Sequence, residues 1–306
     1  MKRALDDLPK TLDDTYTRML LEIEDVYYQH ALTLLQWLAY ARAPLTLDEL
    51  VEAAIIDPTQ ETTIDIENRG DLEDTINILS GLVTTEESQK TDIRSYTEIE
   101  SSLSVDSSNS GDLANAVRHH RTLSASTRVK LSHFSVKEYL ESERILGSLA
   151  DRFQIASGKG HKTIAQSCLT YMRHYSASSE KTSTKQDLKR FPLLCYAAQS
   201  WFCHSSLQQG AIVGLEIPFL LSEQAIKDWL LVYHPDDPFQ KPFETYGEAS
   251  SGLYYASALG LENVVSGLLS AGSSINTQKR VLRQSTSGRI RWWAHEGGAN
   301  ATCQWR

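Results

Sequence analysis

A chain of 306 residues with 41% hydrophobic content is long enough to build two ordinary domains with real cores, which excludes wholesale disorder. Thirty-nine acidic against 30 basic residues leave a net charge of −9, and this repels a phosphate backbone unless the bases cluster on one face. Non-specific binding to nucleic acid or to an anionic membrane is therefore disfavoured. Cys168, Cys195, Cys203 and Cys303 lack the paired spacing of secreted disulfide frameworks. The sequence shows neither a signal-peptide pattern nor eighteen consecutive uncharged apolar residues, so a cytoplasmic location is expected.

In chain order, Leu8, Leu12, Tyr16, Met19, Leu20 and Ile23 recur at steps of three and four and predict a helix with one apolar stripe. A face needing a partner this early suggests that the chain starts inside a larger architecture. A second helix carries Ala31, Leu34, Leu35 and Leu38 and halts near Ala43-Pro44, because the residue before a proline avoids helical backbone angles. Thr46 and Glu49 then form a capping box, with Leu45 against Leu50 as its staple. The helix that follows, Leu47 to about Ile56, is expected to turn Leu47, Leu50, Val51 and Ala54 inward and Asp48, Glu49, Glu52 and Asp57 outward.

Asp71 opens a helix with Leu72, Ile76 and Leu79, and Gly81 supplies a left-handed stop before a short strand at Leu82-Val83-Thr84. A return strand is expected at Val129-Lys130-Leu131-Ser132-His133. It leads into a second capping box, Ser135 with Glu138, stapled by Phe134 on Tyr139. Three helices, a strand, a connection and a return strand are the layout of a winged helix, here spanning 1–146. The connection, roughly Glu86 to Arg128, is rich in Ser, Thr, Asn and charge. It is read as a disordered insert, a tether before a cluster of phosphorylation sites.

Residues 147–234 predict a helical bridge with segments at Ile164–Tyr175, Leu193–Cys203 and Ala225–Tyr233, and with Trp201, Phe202 and Trp229 in its core. Pro235, Pro238 and Pro242 mark a linker over 235–250. From Gly252 to Gln278 the chain resembles one ankyrin repeat, with Gly260 at its turn and Gly272 and Asn276 opening the next. A lone repeat cannot bury its own apolar face, so Tyr254, Tyr255, Leu261, Val264 and Leu268 are expected to offer a protein-interaction surface. The tail, 279–306, has no helical stripe. One choice of codons for it, read a base out of phase, returns a further repeat in register with the first; an ordinary basic tail is the other reading.

No complete catalytic set emerges. Gly158-Lys159-Gly160-His161-Lys162-Thr163 has the wrong spacing for a phosphate loop, and Cys195, Cys203 and His204 lack the close pairing of a zinc site. No Gly-x-Ser-x-Gly elbow is present, and His119-His120 fall in the insert. The expectation is a protein that is not an enzyme, with no catalytic residue, cofactor or metal. His133 stands out at the strand-to-helix junction, where an imidazole either meets a phosphate from a neighbouring domain or closes the strand end on its own backbone.

Four stretches carry a wider resemblance: Leu8-Pro9-Lys10-Thr11-Leu12-Asp13-Asp14-Thr15-Tyr16, Leu34-Leu35-Gln36-Trp37-Leu38-Ala39, Pro44-Leu45-Thr46-Leu47-Asp48-Glu49-Leu50 and Leu131-Ser132-His133-Phe134-Ser135-Val136-Lys137-Glu138-Tyr139-Leu140. Together with Phe191-Pro192-Leu193-Leu194-Cys195-Tyr196-Ala197-Ala198-Gln199, they resemble fungal NACHT and ankyrin NOD-like receptors, members of the STAND NTPases. The match is to the segment after the NTPase core, a winged helix of the GPI inositol-deacylase type, a label that implies no lipid hydrolysis. The resemblance implies a mainly α fold: winged helix, helical bridge and a single ankyrin repeat. It also implies a regulatory, protein-binding module that lacks its NACHT domain, with other protein chains as partners, a NACHT NTPase among them. His133 would then touch the nucleotide held by that separate domain. The alternative function, a winged-helix DNA-binding regulator, has the acidic residues of the Leu47–Ile56 helix against it.

Overall fold

The computed structural model describes residues 11–58, 71–86, 125–208, 214–237, 239–244 and 249–274, apart from the side chains of residues 72 and 73. Leu8, most of the insert, Pro238 and the tail from 275 onward lie outside the described residues. The protein is mainly helical, and among the described residues its few strands lie in the first half.

Helix α1 (Leu12–Leu21) begins at a Thr11–Asp14 capping box and buries Tyr16 and Leu20. Helix α2 (Tyr28–Tyr40) follows a 3-10 turn at Asp25–Tyr27 and ends where the chain extends toward Pro44. Strand β1 (Leu45–Thr46) feeds α3 (Leu47–Ile55), whose first turn carries the expected box: Thr46 Oγ1 accepts from the Glu49 amide, and the Glu49 carboxylate accepts from the Thr46 amide at 2.7 Å. After α4 (Leu72–Asn77), Gly81 adopts φ +82° and turns the chain into β2 (Val83–Glu86). Strand β3 (Arg128–Leu131) is central in an antiparallel sheet of order β1-β3-β2, pairing Leu45 with Val129 and Val83 with Leu131.

Helix α5 (Phe134–Glu141) leaves the sheet and is followed by 3-10 turns at Ile145–Gly147 and Asp151–Phe153. The helical layer consists of α6 (Ser157–Ala177), α7 (Asp187–Arg190), α8 (Leu194–Leu207), α9 (Glu216–Leu221) and α10 (Glu223–Val232). A final hairpin, α11 (Gly252–Ala258) and α12 (Glu262–Ser270), rests on it. Helix α8 is buried nearly all round, as a central helix of a layer must be, and packs chiefly against α6. Trp201, Trp229, Phe219 and Tyr255 meet edge to face with centroids 5.4–6.1 Å apart, which ties α8, α9, α10 and the hairpin into one core.

Two buried carboxylates brace this layer. Glu216 accepts from Gln166 Nε2 at 3.0 Å, Ser205 Oγ at 2.7 Å, Gln208 Nε2 at 3.1 Å and the Gly214 amide at 2.8 Å. Asp187 accepts from Tyr175 Oη, Thr182 Oγ1 and the amides of Thr182 and Ser183. Burial alone would raise the Asp187 carboxyl, but these donors outweigh it and hold the group below its ordinary value.

Three expectations about facing residues are corrected. Leu12 is 63% exposed, because the stripe of α1 is centred on Tyr16 and Leu20 rather than on its first turn. Glu52 is buried at 2% and accepts a hydrogen bond from Tyr171 of α6, so α3 presents fewer carboxylates to solvent than its sequence suggests. Phe134 is 68% exposed and does not staple α5.

Candidate functional site

The junction of β3 and α5 is built around His133, which caps the helix in place of Ser135. Its backbone is extended at φ −150° and ψ 150°, and its Nδ1 accepts the Ser135 amide at 3.1 Å. Ser135 is thereby drawn inside the first turn. Its hydroxyl lies 2.7 Å from His133 Nδ1 and 2.7 Å from the hydroxyl of Tyr16 on α1. An amide hydrogen pointing at Nδ1 requires a lone pair there, so the neutral ring carries its proton on Nε2. The hydroxyls then order themselves: Tyr16 donates to Ser135, and Ser135 donates to His133.

The ring is thus held by two donors on one side while the residue as a whole is exposed. Such a group can offer one N–H to an oxyanion brought against the surface, with its tautomer fixed in advance. Around it, α1 and α5 are locked together. Tyr16 and Tyr139 rings lie 5.8 Å apart, Thr17 Oγ1 and Tyr139 Oη are 2.6 Å apart, and Arg144 donates to Asp13 at 2.9 Å. On the outside of these elements Leu12, Phe134, Leu146 and Leu149 are exposed.

The residues expected to form a partner surface on the C-terminal hairpin lie mostly inside. Tyr255, Leu261, Val264 and Leu268 are buried, and Tyr255 packs its ring 5.4 Å from Trp229. Tyr254 is half-buried and donates its hydroxyl to Asp236 at 2.9 Å. The hairpin spends its apolar face on α9 and α10, so those four side chains hold it to the helical layer instead of facing a partner.

Gly158-Lys159-Gly160-His161-Lys162-Thr163 forms the opening turns of α6 rather than a loop. A Cβ at Gly160 would stand 2.3 Å from Tyr40 Cδ2, so the glycine serves close packing of α6 on α2. That approach creates a cluster that sequence reasoning missed. His161 Nδ1 and His204 Nδ1 are 2.8 Å apart, and His204 Nε2 is 2.9 Å from Tyr196 Oη. Tyr196 in turn accepts the Arg42 amide at 3.2 Å, and the Arg42 guanidinium contacts Cys203 Sγ. His161 and His204 are 43 residues apart, and only the register of α6 against α8 brings them together. Among the described residues no group of three or more His, Cys, Asp or Glu side chains is placed to hold a metal ion, and no helix is long and apolar enough to cross a membrane.

The chain is 32% identical over 282 residues to azaphilone pigments biosynthesis cluster protein L of Monascus ruber. The match covers 88% of this chain and 52% of that protein, so the chain spans about half the length of this relative. No family model and no solved structure matches the chain.

Proposed function

We propose that this chain is a non-enzymatic regulatory module of a receptor-like NTPase of the NACHT and ankyrin type, working in the cytoplasm by docking to other protein chains. In this reading the α1–α5 unit with its small sheet is a winged helix, α6–α10 form the helical bridge, and α11–α12 are the opening repeat of an ankyrin array. The NTPase core is supplied by another polypeptide or by sequence outside this one.

The observation that carries the reading is His133. A histidine whose Nδ1 is occupied by its own helix, and whose Nε2 hydrogen is left to face outward from an exposed corner, suits contact with a phosphate oxygen on a neighbouring domain. The exposed Phe134 beside it suits the same neighbour. The match to half of a longer relative fits a module whose full context is larger, and the relative's name ties that protein to a pigment biosynthesis cluster.

The test begins with the transcript on both sides of this reading frame. Any phosphate-loop NTPase domain encoded there is expressed separately and titrated with the purified 306-residue chain in the presence of MgATP. Binding that weakens when His133 is changed to Ala is the expected result. Turnover of MgATP or an ester by the chain alone, or binding that His133→Ala leaves unchanged, overturns the proposal.

A further inference from the structure

His161, half-buried on α6, and His204, fully buried on α8, face each other where α2 packs on the helical layer, and the elements around that seam contribute to their surroundings. From α2 and the turn after it come Tyr40, whose ring centroid is 5.2 Å from that of His161, and Arg42, bonded to Tyr196 and Cys203. From α5 come Lys137, which lies over the Tyr40 ring at 4.8 Å and donates to Ala39 O at 2.8 Å, and Glu141, whose charge acts on both Tyr40 and His161. From α6 comes His161 itself, with buried Cys168 near Tyr196, and from α8 come His204, Tyr196 and Cys203. Glu216 of α9 is reached through Ser205, but its oxygens are taken by Gln166, Ser205, Gln208 and Gly214.

Between the facing Nδ1 atoms of His161 and His204 there is room for one hydrogen. When one ring donates and the other accepts, both are neutral and the 2.8 Å contact holds. A second proton turns the contact into two opposed N–H groups and places a cation beside Arg42 and Lys137. Glu141 is the carboxylate whose charge acts on His161 in the opposite sense.

We propose that the His161–His204 pair is an acid-sensitive latch between α6 and α8, at the seam where α2 packs on the helical layer: closed while both rings are neutral, and opened when a second proton enters the contact. Desolvation supports the direction. Burial, followed by His161 and Arg42, lowers His204 from its ordinary 6.5 to about 3, and burial with Lys137 lowers His161 against the opposing pull of Glu141. A ring whose pKa is lower in the closed state binds its proton only on opening. The latch is therefore at full strength above about pH 6.5 and weakens steadily as the pH falls from there toward 3. Asp187, the lowered carboxyl described above, contributes acid sensitivity only below about pH 4, whereas His234, which burial also lowers, shares the window from about pH 6.5 to 5 and is told apart by the double variant below.

Hydrogen exchange on the full chain at pH 7.5 and 5.0, normalised for intrinsic exchange rates, reads the latch directly. Peptides from the first turns of α6 and the last turns of α8 are expected to open about thirtyfold more often at pH 5.0, from His204 alone. In the double variant His161→Gln with His204→Gln, which retains polar side chains without a titrating ring, this ratio is expected to fall below about threefold. Equal acid sensitivity in variant and wild type, or none in wild type, overturns the latch. If the variant does not fold, 15N spectra of the wild-type imidazoles decide instead. Both rings must stay neutral down to pH 5 while the chain is closed, and titration of either at its ordinary value with the contact intact overturns the proposal.

Discussion

In the helical layer, Glu216 and Asp187 are as deeply buried as Trp201 and Trp229, and each carboxylate is met by several donors. In the N-terminal unit the polar chain runs the other way, from buried Tyr16 through Ser135 to exposed His133, beside Phe134, which faces solvent. A buried charge is stable only when its lone pairs are satisfied, so the first arrangement is a brace that tolerates little change. Exposed apolar side chains beside a pre-oriented donor contribute little to the fold of the isolated chain. The contrast separates a rigid support from the face proposed to dock.

The largest blow to the support is expected at Trp229, which touches Trp201, Phe219 and Tyr255 and donates Nε1 to Ala198 O at 2.8 Å. Trp229→Ala should cost about 3–5 kcal/mol in a urea titration. A loss below about 1 kcal/mol would show that the aromatic cluster does not hold α8, α10 and the hairpin together. Next comes Glu216→Gln. The amide places an N–H₂ where two side-chain amides, a hydroxyl and a backbone amide already donate, and the expected cost is about 1–3 kcal/mol. An unchanged midpoint would mean that the brace is decorative.

Gly160→Ala probes the seam between the two regions. Alanine gains about 1 kcal/mol of helix propensity over glycine, yet its Cβ would fall 2.3 Å from the Tyr40 ring. Forcing that ring aside should cost more than the gain, leaving a net loss of about 1–2 kcal/mol. Because Tyr40 also stacks near His161, the same change should loosen the exchange protection of the first turns of α6. A more stable protein would show that the seam has slack.

How much of this was legible depends on sequence distance. The Thr46–Glu49 box is a pattern of neighbours three residues apart and was readable, as were the left-handed turn at Gly81 and the aromatic core of the helical layer. Ser135 with Glu138 looked like an equally good box. It was displaced because Tyr16, 119 residues away, takes the Ser135 hydroxyl and leaves His133 to cap the helix. Glu52 was read as solvent-facing because charged residues on amphipathic helices usually are, but Tyr171 on α6 provides a partner that no local pattern announces. The hairpin residues were read as a partner surface on the premise that a single repeat finds no cover, whereas α9 and α10 cover it. His161 and His204 fall in stretches whose spacing fits neither a phosphate loop nor a zinc site, and their pairing depends on the helix register.

The smallest effect on stability is expected where the proposed function is most exposed. Phe153 and Phe134 are the same residue type in one unit; Phe153 is fully buried with its ring 5.2 Å from Tyr28, whereas Phe134 is 68% exposed. Phe153→Ser should unfold the N-terminal unit or cost several kcal/mol. Phe134→Ser should stay within about 0.5 kcal/mol of wild type, since it removes no buried contact and leaves the Ser135 amide bonded to His133. What Phe134→Ser should lose is association with the proposed NTPase partner, by about tenfold or more in a binding titration, because an aromatic side chain contributes far more when a partner desolvates it. If it destabilises the isolated chain as Phe153→Ser does, the corner belongs to the core. If neither stability nor binding changes, the docking face lies elsewhere on the molecule.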